Sequence, residues 1–548
     1  MCKRAKLSVA ARLACLYLKY TEEAGLRSPT QAGFRPGLST LHPAFVLQHF
    51  VDKHIKRRQP LFACFIDLKG AYDRVQRPLL WATLQNLGLG SRMQQAVRSL
   101  YADPQLSMNV AGRHGPLRKS TLGVKQGCPL SPTLFGLFLD GLDAYLRRTV
   151  PEAGPHLRTG EGVPDLAYAD DITLLAKSAA ELQLLIDAVD AYCRLVGMEL
   201  SKDKTKVMVF GEGTGSSFVW VCAGAPLEQV QEFKYLGLVF SAQRGLPAAL
   251  AKLKQKAAGA WGLLREQYDD LYCSTHAPLM YRLYQAVVPP TGSYGCELWG
   301  MRRLHSDAET QRRSLEQFHH SCLKQICGVR TTVPADMVLL ELGLEPITWS
   351  WWMQTIRFWN QLAELPAANL YKRVALDDIA DAIRSDVRNW AWSVRKTMDD
   401  VGYTLPWQEG RMTSIQPALV LQLLRSAWWD RLRAVDVCPR TAASRGTKLC
   451  TYMRWFARPE HSLGCTVLDM SVRPQQLRAF MRFRLGCHDL PIEAGRHAGI
   501  ARQHRTCTRC TLGVVGDEKH LLLECPAAQR IRDEVLGTRI CLPILSRP

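Results

Sequence analysis

Three aspartates, and a set of three cysteines with one histidine, are the residues of this 548-residue chain best suited to chemistry. Asp170 and Asp171 sit side by side between two short apolar runs, Leu166 to Ala169 and Ile172 to Leu175. The runs have strand length and the acid pair has turn composition, which predicts an antiparallel hairpin with two carboxylates at its exposed tip. Adjacent carboxylates repel, so such a tip is either fully solvated or holds a cation. A hard divalent ion such as magnesium wants oxygen ligands and at least one more protein charge. Asp67 is the candidate, because it ends the apolar run Leu61 to Ile66, which reads as a buried central strand. Asp67 and Asp170 then lie on neighbouring strands of one antiparallel sheet. Successive strand residues alternate in face, so these two are expected as principal ligands with Asp171 assisting. Two magnesium ions held roughly 3.5 to 4 Å apart can activate a hydroxyl and stabilise leaving pyrophosphate in an in-line displacement, which is polymerase chemistry.

The second set is Cys507 and Cys510, spaced Cys-x-x-Cys, followed by His520 and Cys525. Three thiolates and an imidazole at this spacing predict a closed tetrahedral zinc site, with Zn–S about 2.3 Å, whose metal supplies folding energy to a segment with little core. Just before it, Ser471 to Cys510 holds eight arginines, beginning at Arg473, against Asp489 and Glu493. Phe480 and Phe483 are interleaved with them. That mixture suits either nucleic-acid backbone and base stacking or a solvated helix face.

The elements that must position these groups follow from local pattern. Ala5 to Tyr20 reads as a helix, and Gln31-Ala-Gly33-Phe-Arg35-Pro-Gly37 as a loop whose single cation suits a phosphate. Leu130 to Leu146 reads as one core helix, with Ser131 as N-cap and Pro132 at its first position. Ser178 to Glu181 is a capping box for a helix closed by Gly197, Val207 to Phe210 reads as a strand, and Phe233 to Gly237 reads as a strand ending in a turn. From about residue 241 the pattern is amphipathic helix, and its tryptophans suit packing between helices. Lys plus Arg is 70 against 50 acids, net +20 with pI near 9.3, which points to a polyanionic partner such as nucleic acid. No run approaches the roughly 18 uncharged apolar residues of a membrane span, and the basic N-terminus lacks a signal-peptide core. An intracellular protein with mostly reduced, buried or metal-bound cysteines is expected.

In order, Gln31-Ala-Gly-Phe-Arg35, Phe65-Ile-Asp67 through Tyr72-Asp73, Lys125-Gln126-Gly127 through Pro132, Tyr168-Ala-Asp170-Asp171, Lys204-Thr205 and Phe233-Lys-Tyr-Leu-Gly237 resemble the consecutive motifs of non-LTR retrotransposon reverse transcriptases. The resemblance covers about residues 31 to 240, and the zinc-ligand module resembles the one such elements carry after the polymerase. It implies an α+β right-hand fold: partial fingers and palm over 1–240, helical thumb over 241–345, helical connector over 346–480 and zinc module over 481–548. It implies an RNA-directed DNA polymerase that takes an RNA template, a DNA primer or target and dNTPs, without a membrane, and acts in the nucleus. An RNA-binding relic and a group II intron maturase are the competing classes. Magnesium, or manganese in its place, is implied at Asp67, Ile66, Asp170 and Asp171. Arg35 would bind the triphosphate, and Tyr72 would press on the sugar and exclude a 2′-hydroxyl. Gln126 and Gly127 would bear on the templating pair and nucleotide, and small Ala169 would leave room for the primer end. Lys204 would give a proton to pyrophosphate, and Phe233, Tyr235, Leu236 and Gly237 would grip the primer. The family usually has Asn where Ser201 stands. Much of an N-terminal fingers extension, and any nuclease, are expected to be missing from this sequence.

Overall fold

In the computed structural model the described residues are all but 1–2, 103–104, 108, 111, 117, 212–217, 244, 269–276, 303–305, 385–386, 437–451, 454–473 and 537–548. Arg473 therefore lies outside them. The apolar run that ends on Asp67 becomes β1 (Leu61–Ile66), buried along its whole length. Around it stand β2 (Asp165–Tyr168), β3 (Asp171–Ala176), β4 (Lys206–Phe210) and β5 (Glu228–Gln229), in the order β5-β4-β1-β3-β2. β1 runs antiparallel to both β3 and β4, and only the short β5 joins its neighbour in parallel.

Both faces of this sheet are covered, which explains why β1 lacks a polar alternation. Leu61, Ala63 and Phe65 enter one core with Leu175, Met208 and Phe210, while Phe62, Cys64 and Ile66 enter the other with Ile172, Leu174, Val207 and Val209. The second core is built largely by α1 (Lys3–Glu23), α3 (Arg77–Asn86), α4 (Ser91–Leu100), α5 (Ser131–Leu139), α6 (Gly141–Thr149) and α7 (Ala179–Val196). The first is covered by α2 (Leu41–Lys56), by the hairpin β6 (Glu232–Tyr235) and β7 (Leu238–Ser241), and by the helices that follow.

Those helices are α8 (Pro247–Gln267), α9 (Ala277–Gly292), α10 (Cys296–Trp299), α11 (Ser306–Ile326), α12 (Ala335–Leu342), α13 (Ile347–Glu364), α14 (Leu370–Arg384), α15 (Trp390–Asp400) and α16 (Pro417–Asp436). After them come α17 (Pro474–Arg484), α18 (Pro491–His497) and α19 (Gln529–Leu536). One continuous core runs from Ala32 through Met208, Trp299 and Trp390 to Cys487. Several of its tryptophans pack with their N–H groups bonded: Trp351 donates to Ser293 Oγ at 2.7 Å and Trp390 to the Glu297 carbonyl at 2.9 Å. Among the described residues no helix is long and apolar enough to cross a membrane.

Two local expectations are corrected. The helix expected over Leu130 to Leu146 is two helices, α5 and α6, joined at Asp140. There the Asp140 carboxylate accepts from Arg27 Nε at 2.5 Å, both side chains buried, and this ion pair sits at the joint. Ser131 is not the N-cap. Leu130 holds that position, and Ser131 Oγ donates to the Lys125 carbonyl at 2.6 Å, tying the preceding loop to the helix start. Ser178 does cap α7, accepting from the Glu181 N–H at 3.2 Å. The Glu181 carboxylate reaches the Lys177 and Gly154 amides instead of closing the box.

Candidate active site

β2 and β3 pair up to Tyr168 opposite Asp171, which leaves Ala169 and Asp170 as the two-residue turn. The tip is thus one residue earlier than expected: Asp170 is in the turn and Asp171 opens the strand. Ala169 adopts φ +58°, a left-handed conformation that costs an alanine energy. The β1–β3 register pairs Ile66 with Ile172. One step further, Asp67 faces Asp171 across the sheet. By alternation these two share the face of Phe65 and Leu175, so the register sets Asp171 directly across from Asp67.

The three acids feel one another. Burial first, then Asp170 and Asp67, push the Asp171 carboxyl up from 3.8 to about 6. Burial and Asp67 also raise Asp170. A carboxylate whose folded pKa is raised contributes stability below its unfolded value, and this is lost as pH rises through the folded value, here between about pH 4 and 6. In metal-free buffer Asp171→Asn is therefore expected to raise the melting midpoint at pH 7. Screening of this exposed group holds the gain to about 1 kcal/mol. A lower midpoint than the parent's, by calorimetry, would contradict this.

Around the acids, Lys204 Nζ lies 3.7 Å from Asp67 Oδ2 with most of the lysine in solvent. Tyr72 stands in a single helical turn after β1, stacked on Phe135 at 4.6 Å, and its pKa is pushed up to about 12 by burial and then by Asp170 and Tyr168. Gln126 donates to Asp73 Oδ1 at 3.0 Å, and Gly127 takes φ +75°. Their loop is held by the Val124 N–H on the Tyr72 carbonyl at 2.9 Å. Ile66 is buried between β3 and β4, so its carbonyl is its only ligand atom. On the same side Phe233 stacks on Phe65 at 4.2 Å and Tyr235 is buried. Leu236 and Gly237 form the β6–β7 turn with φ +46° and +89°, and Tyr294 donates to the Leu236 carbonyl at 2.8 Å.

Arg35 is engaged inside the chain. Its Nε and Nη2 donate to the Glu22 carboxylate at 2.6 Å each, and Nη1 donates to the Ser28 and Gln31 carbonyls. Four of its five N–H groups are spent inside the chain. Here the guanidinium closes the 28–35 loop. The residue overlooked is Gln31, whose side chain reaches the Ala169–Asp170 turn, and the only signal for it was its place at the head of the motif.

Among the described residues, two groups of three or more potential ligands have their ligand atoms all within 4.8 Å of one another, and the aspartates are not one of them. A cation at Asp67, Asp170 and Asp171 would have to draw the carboxylates together. Their oxygen chemistry and mutual repulsion fit a hard divalent ion. One converging group is Cys507, Cys510, His520 and Cys525. Cys507 and Cys525 sulfurs are 3.9 Å apart, and Cys510 Sγ is 3.3 Å from His520 Nε2. Burial opposes ionisation of Cys507, but N–H groups of Arg509 and Cys510 outweigh it and bring its pKa down to about 7. These four can hold a metal. Before them, Arg484 is paired with buried Glu341 and Arg505 donates to the Ile492 and Ile500 carbonyls, so part of the arginine set is structural.

The other converging group is His49, Asp377 and Asp381. There Lys53 already supplies a cation, 2.5 Å from Asp377 and 3.7 Å from Asp381. His49 places its two nitrogens 2.8 and 2.9 Å from Asp378 and Asp377, and Arg158 pairs with Asp381 at 3.0 Å. It is a buried ionic lock between α2 and α14.

The family pattern described as reverse transcriptase (RNA-dependent DNA polymerase) matches residues 9–240. The Pol polyprotein of the type-1 retrotransposable element R2 of Popillia japonica is 29% identical over 210 residues, 37% of this chain and 34% of that protein. The RNA-directed DNA polymerase from mobile element jockey of Drosophila melanogaster is 22% identical over 329 residues, 57% of this chain and 34% of that protein. The chain thus spans about a third of the length of these relatives. Apo telomerase from Candida tropicalis aligns with 68% of this chain and 61% of its own at 11% identity, TM-score 0.35. Residues 9–240 thus match the reverse transcriptase pattern, and over that region the chain is similar in sequence to the polymerases of the R2 and jockey elements.

Proposed function

We propose that this chain is an RNA-directed DNA polymerase that extends a primer 3′-hydroxyl with dNTPs on an RNA template. The observation that carries the reading is the meeting of Asp67, Asp170 and Asp171 at one end of β1 and β3, beside the β6–β7 hairpin. When bound, two magnesium or manganese ions supply activation of the attacking hydroxyl and stabilisation of the leaving pyrophosphate. Asp67, Asp170 and Asp171 would hold them, with the Ile66 carbonyl. Tyr72 presses on the incoming sugar and excludes a 2′-hydroxyl, and Gln126 and Gly127 bear on the nascent pair. Lys204, exposed and next to Asp67, gives a proton to the pyrophosphate. The β6–β7 hairpin grips a DNA primer or target, and the net charge of +20 favours both strands. Nuclear action belongs to the same reading.

Primer extension on an RNA template with magnesium, comparing the parent with Asp170→Asn, tests it. Equal incorporation by both, or salt-sensitive RNA binding with no synthesis by either, would overturn the polymerase reading.

The C-terminal quartet is proposed to hold one structural zinc per chain. Metal analysis is expected to give one equivalent, falling to none in Cys507→Ser/Cys510→Ser. Zinc retained by that double variant would remove the assignment.

A further inference from the structure

The turn that carries Asp170 depends on an alanine in a conformation that alanine disfavours, and something must hold it there. Residues 30–32 run beside β2 as a one-residue parallel edge: Ala32 N–H donates to the Ala167 carbonyl at 2.8 Å, and Ala167 N–H to that of Thr30 at 3.1 Å. This edge delivers the buried Gln31 side chain to the turn. Gln31 Oε1 accepts from the Ala169 N–H at 2.8 Å and from the Gly33 N–H at 2.8 Å, and Nε2 donates to the Ala169 carbonyl at 3.3 Å. Only one orientation of the amide satisfies all three, since the other would set its NH2 against two N–H groups. Both polar groups of Ala169 are therefore bonded by one side chain. Gly33 completes the fit: a Cβ there would lie 2.3 Å from the Ala169 nitrogen.

We propose that Gln31 is a positioning residue for the reaction, clamping Ala169 in its left-handed conformation so that Asp170 is set toward Asp67 and Asp171 before any cation arrives. It touches neither substrate nor metal and acts through the backbone of Ala169. The proposal rests on the polymerase reading for its consequence in catalysis, but its structural content can be read separately.

Two measurements on the full chain test it. In primer extension, Gln31→Leu is expected to lower kcat by about 10- to 100-fold with KM for dNTP within about twofold, the signature of lost preorganisation in the transition state. In Tb3+ titration, with luminescence sensitised by Tyr72 and Tyr168, it is expected to weaken ion binding at the carboxylates about tenfold. Gly33→Ala, with Gln31 intact, is expected to give the same two changes by pushing the loop off the turn. Adding Ala169→Gly to Gln31→Leu removes the conformational penalty and is expected to restore about five- to tenfold of each. A purely structural Gln31 would lower the melting midpoint without rescue by Ala169→Gly, and that result, or parent values in Gln31→Leu, would overturn the clamp. A parent that binds Tb3+ but never extends a primer would sink the polymerase reading, while the Tb3+ affinities of the variants still decide the clamp.

Discussion

Asp170→Asn is expected to cut primer extension by about 10³-fold or more, which corresponds to roughly 4 kcal/mol of lost transition-state stabilisation. Asparagine keeps the size and the turn but cannot carry the charge that holds a divalent cation. The expected loss is therefore in kcat, with little change in RNA affinity, because the basic surfaces remain. Stability should move the other way. Asp170 is raised by burial and by Asp67, so removing its charge relieves repulsion in the metal-free protein. A variant that melts no lower than the parent yet fails to extend a primer separates chemistry from folding. Single-nucleotide incorporation at saturating dNTP is the measurement, and a rate within tenfold of the parent would exclude Asp170 as a metal ligand.

Asp377→Ala is expected to cost about 3 to 5 kcal/mol, because it leaves His49 and Lys53 buried without their shared counter-charge. Both His49 nitrogens face carboxylates, so both must donate and the ring is an imidazolium. Burial alone would lower its pKa, but the bonds to Asp377 and Asp378 win and lift it from 6.5 to about 9. Burial likewise opposes the charge on Asp377, yet His49 and Lys53 hold it below the usual carboxylate range. The His49 contribution is complete below about pH 6.5 and lost as pH rises through about 9, a loss of about 3 kcal/mol. The Asp377 contribution is present above its unfolded value and is lost only in stronger acid. Denaturant midpoints should therefore fall between pH 6.5 and 9 in the parent, and less steeply in His49→Asn. A parent midpoint flat over that window would mean the ring is neutral in the folded protein.

What could be read from the amino-acid sequence was whatever has a local cause. The strand ending at Asp67, the acidic hairpin and the Ser178 cap are written in neighbouring residue types, and the six motifs in order carried the resemblance to reverse transcriptases. The tip of the hairpin was misplaced by one residue because turn composition says nothing about pairing, and it is the Tyr168–Asp171 pair that moves Asp171 into the strand. The single helix expected over Leu130 to Leu146 has a joint because Asp140 answers to Arg27, 113 positions earlier. Arg35 looked free for a phosphate because Glu22 carries no periodic signal that marks it as a partner. Gln31 and the lock were invisible for the same reason: each works through a contact more than a hundred positions away, and no window of local pattern contains both ends.

The lock also bears on how the chain is made. His49 meets Asp378 across 329 positions. At roughly 5 to 20 residues per second, a ribosome delivers the second partner about a quarter of a minute to a minute after the first. Through that interval α2 has emerged, but the acids that neutralise its histidine and lysine do not yet exist. The aromatic wall from Phe358 and Trp390 that closes over Phe45 is missing too. The half that carries the five-stranded sheet therefore cannot finish packing as it is synthesised, and a nascent chain arrested before residue 370 is expected to be protease-sensitive around α2.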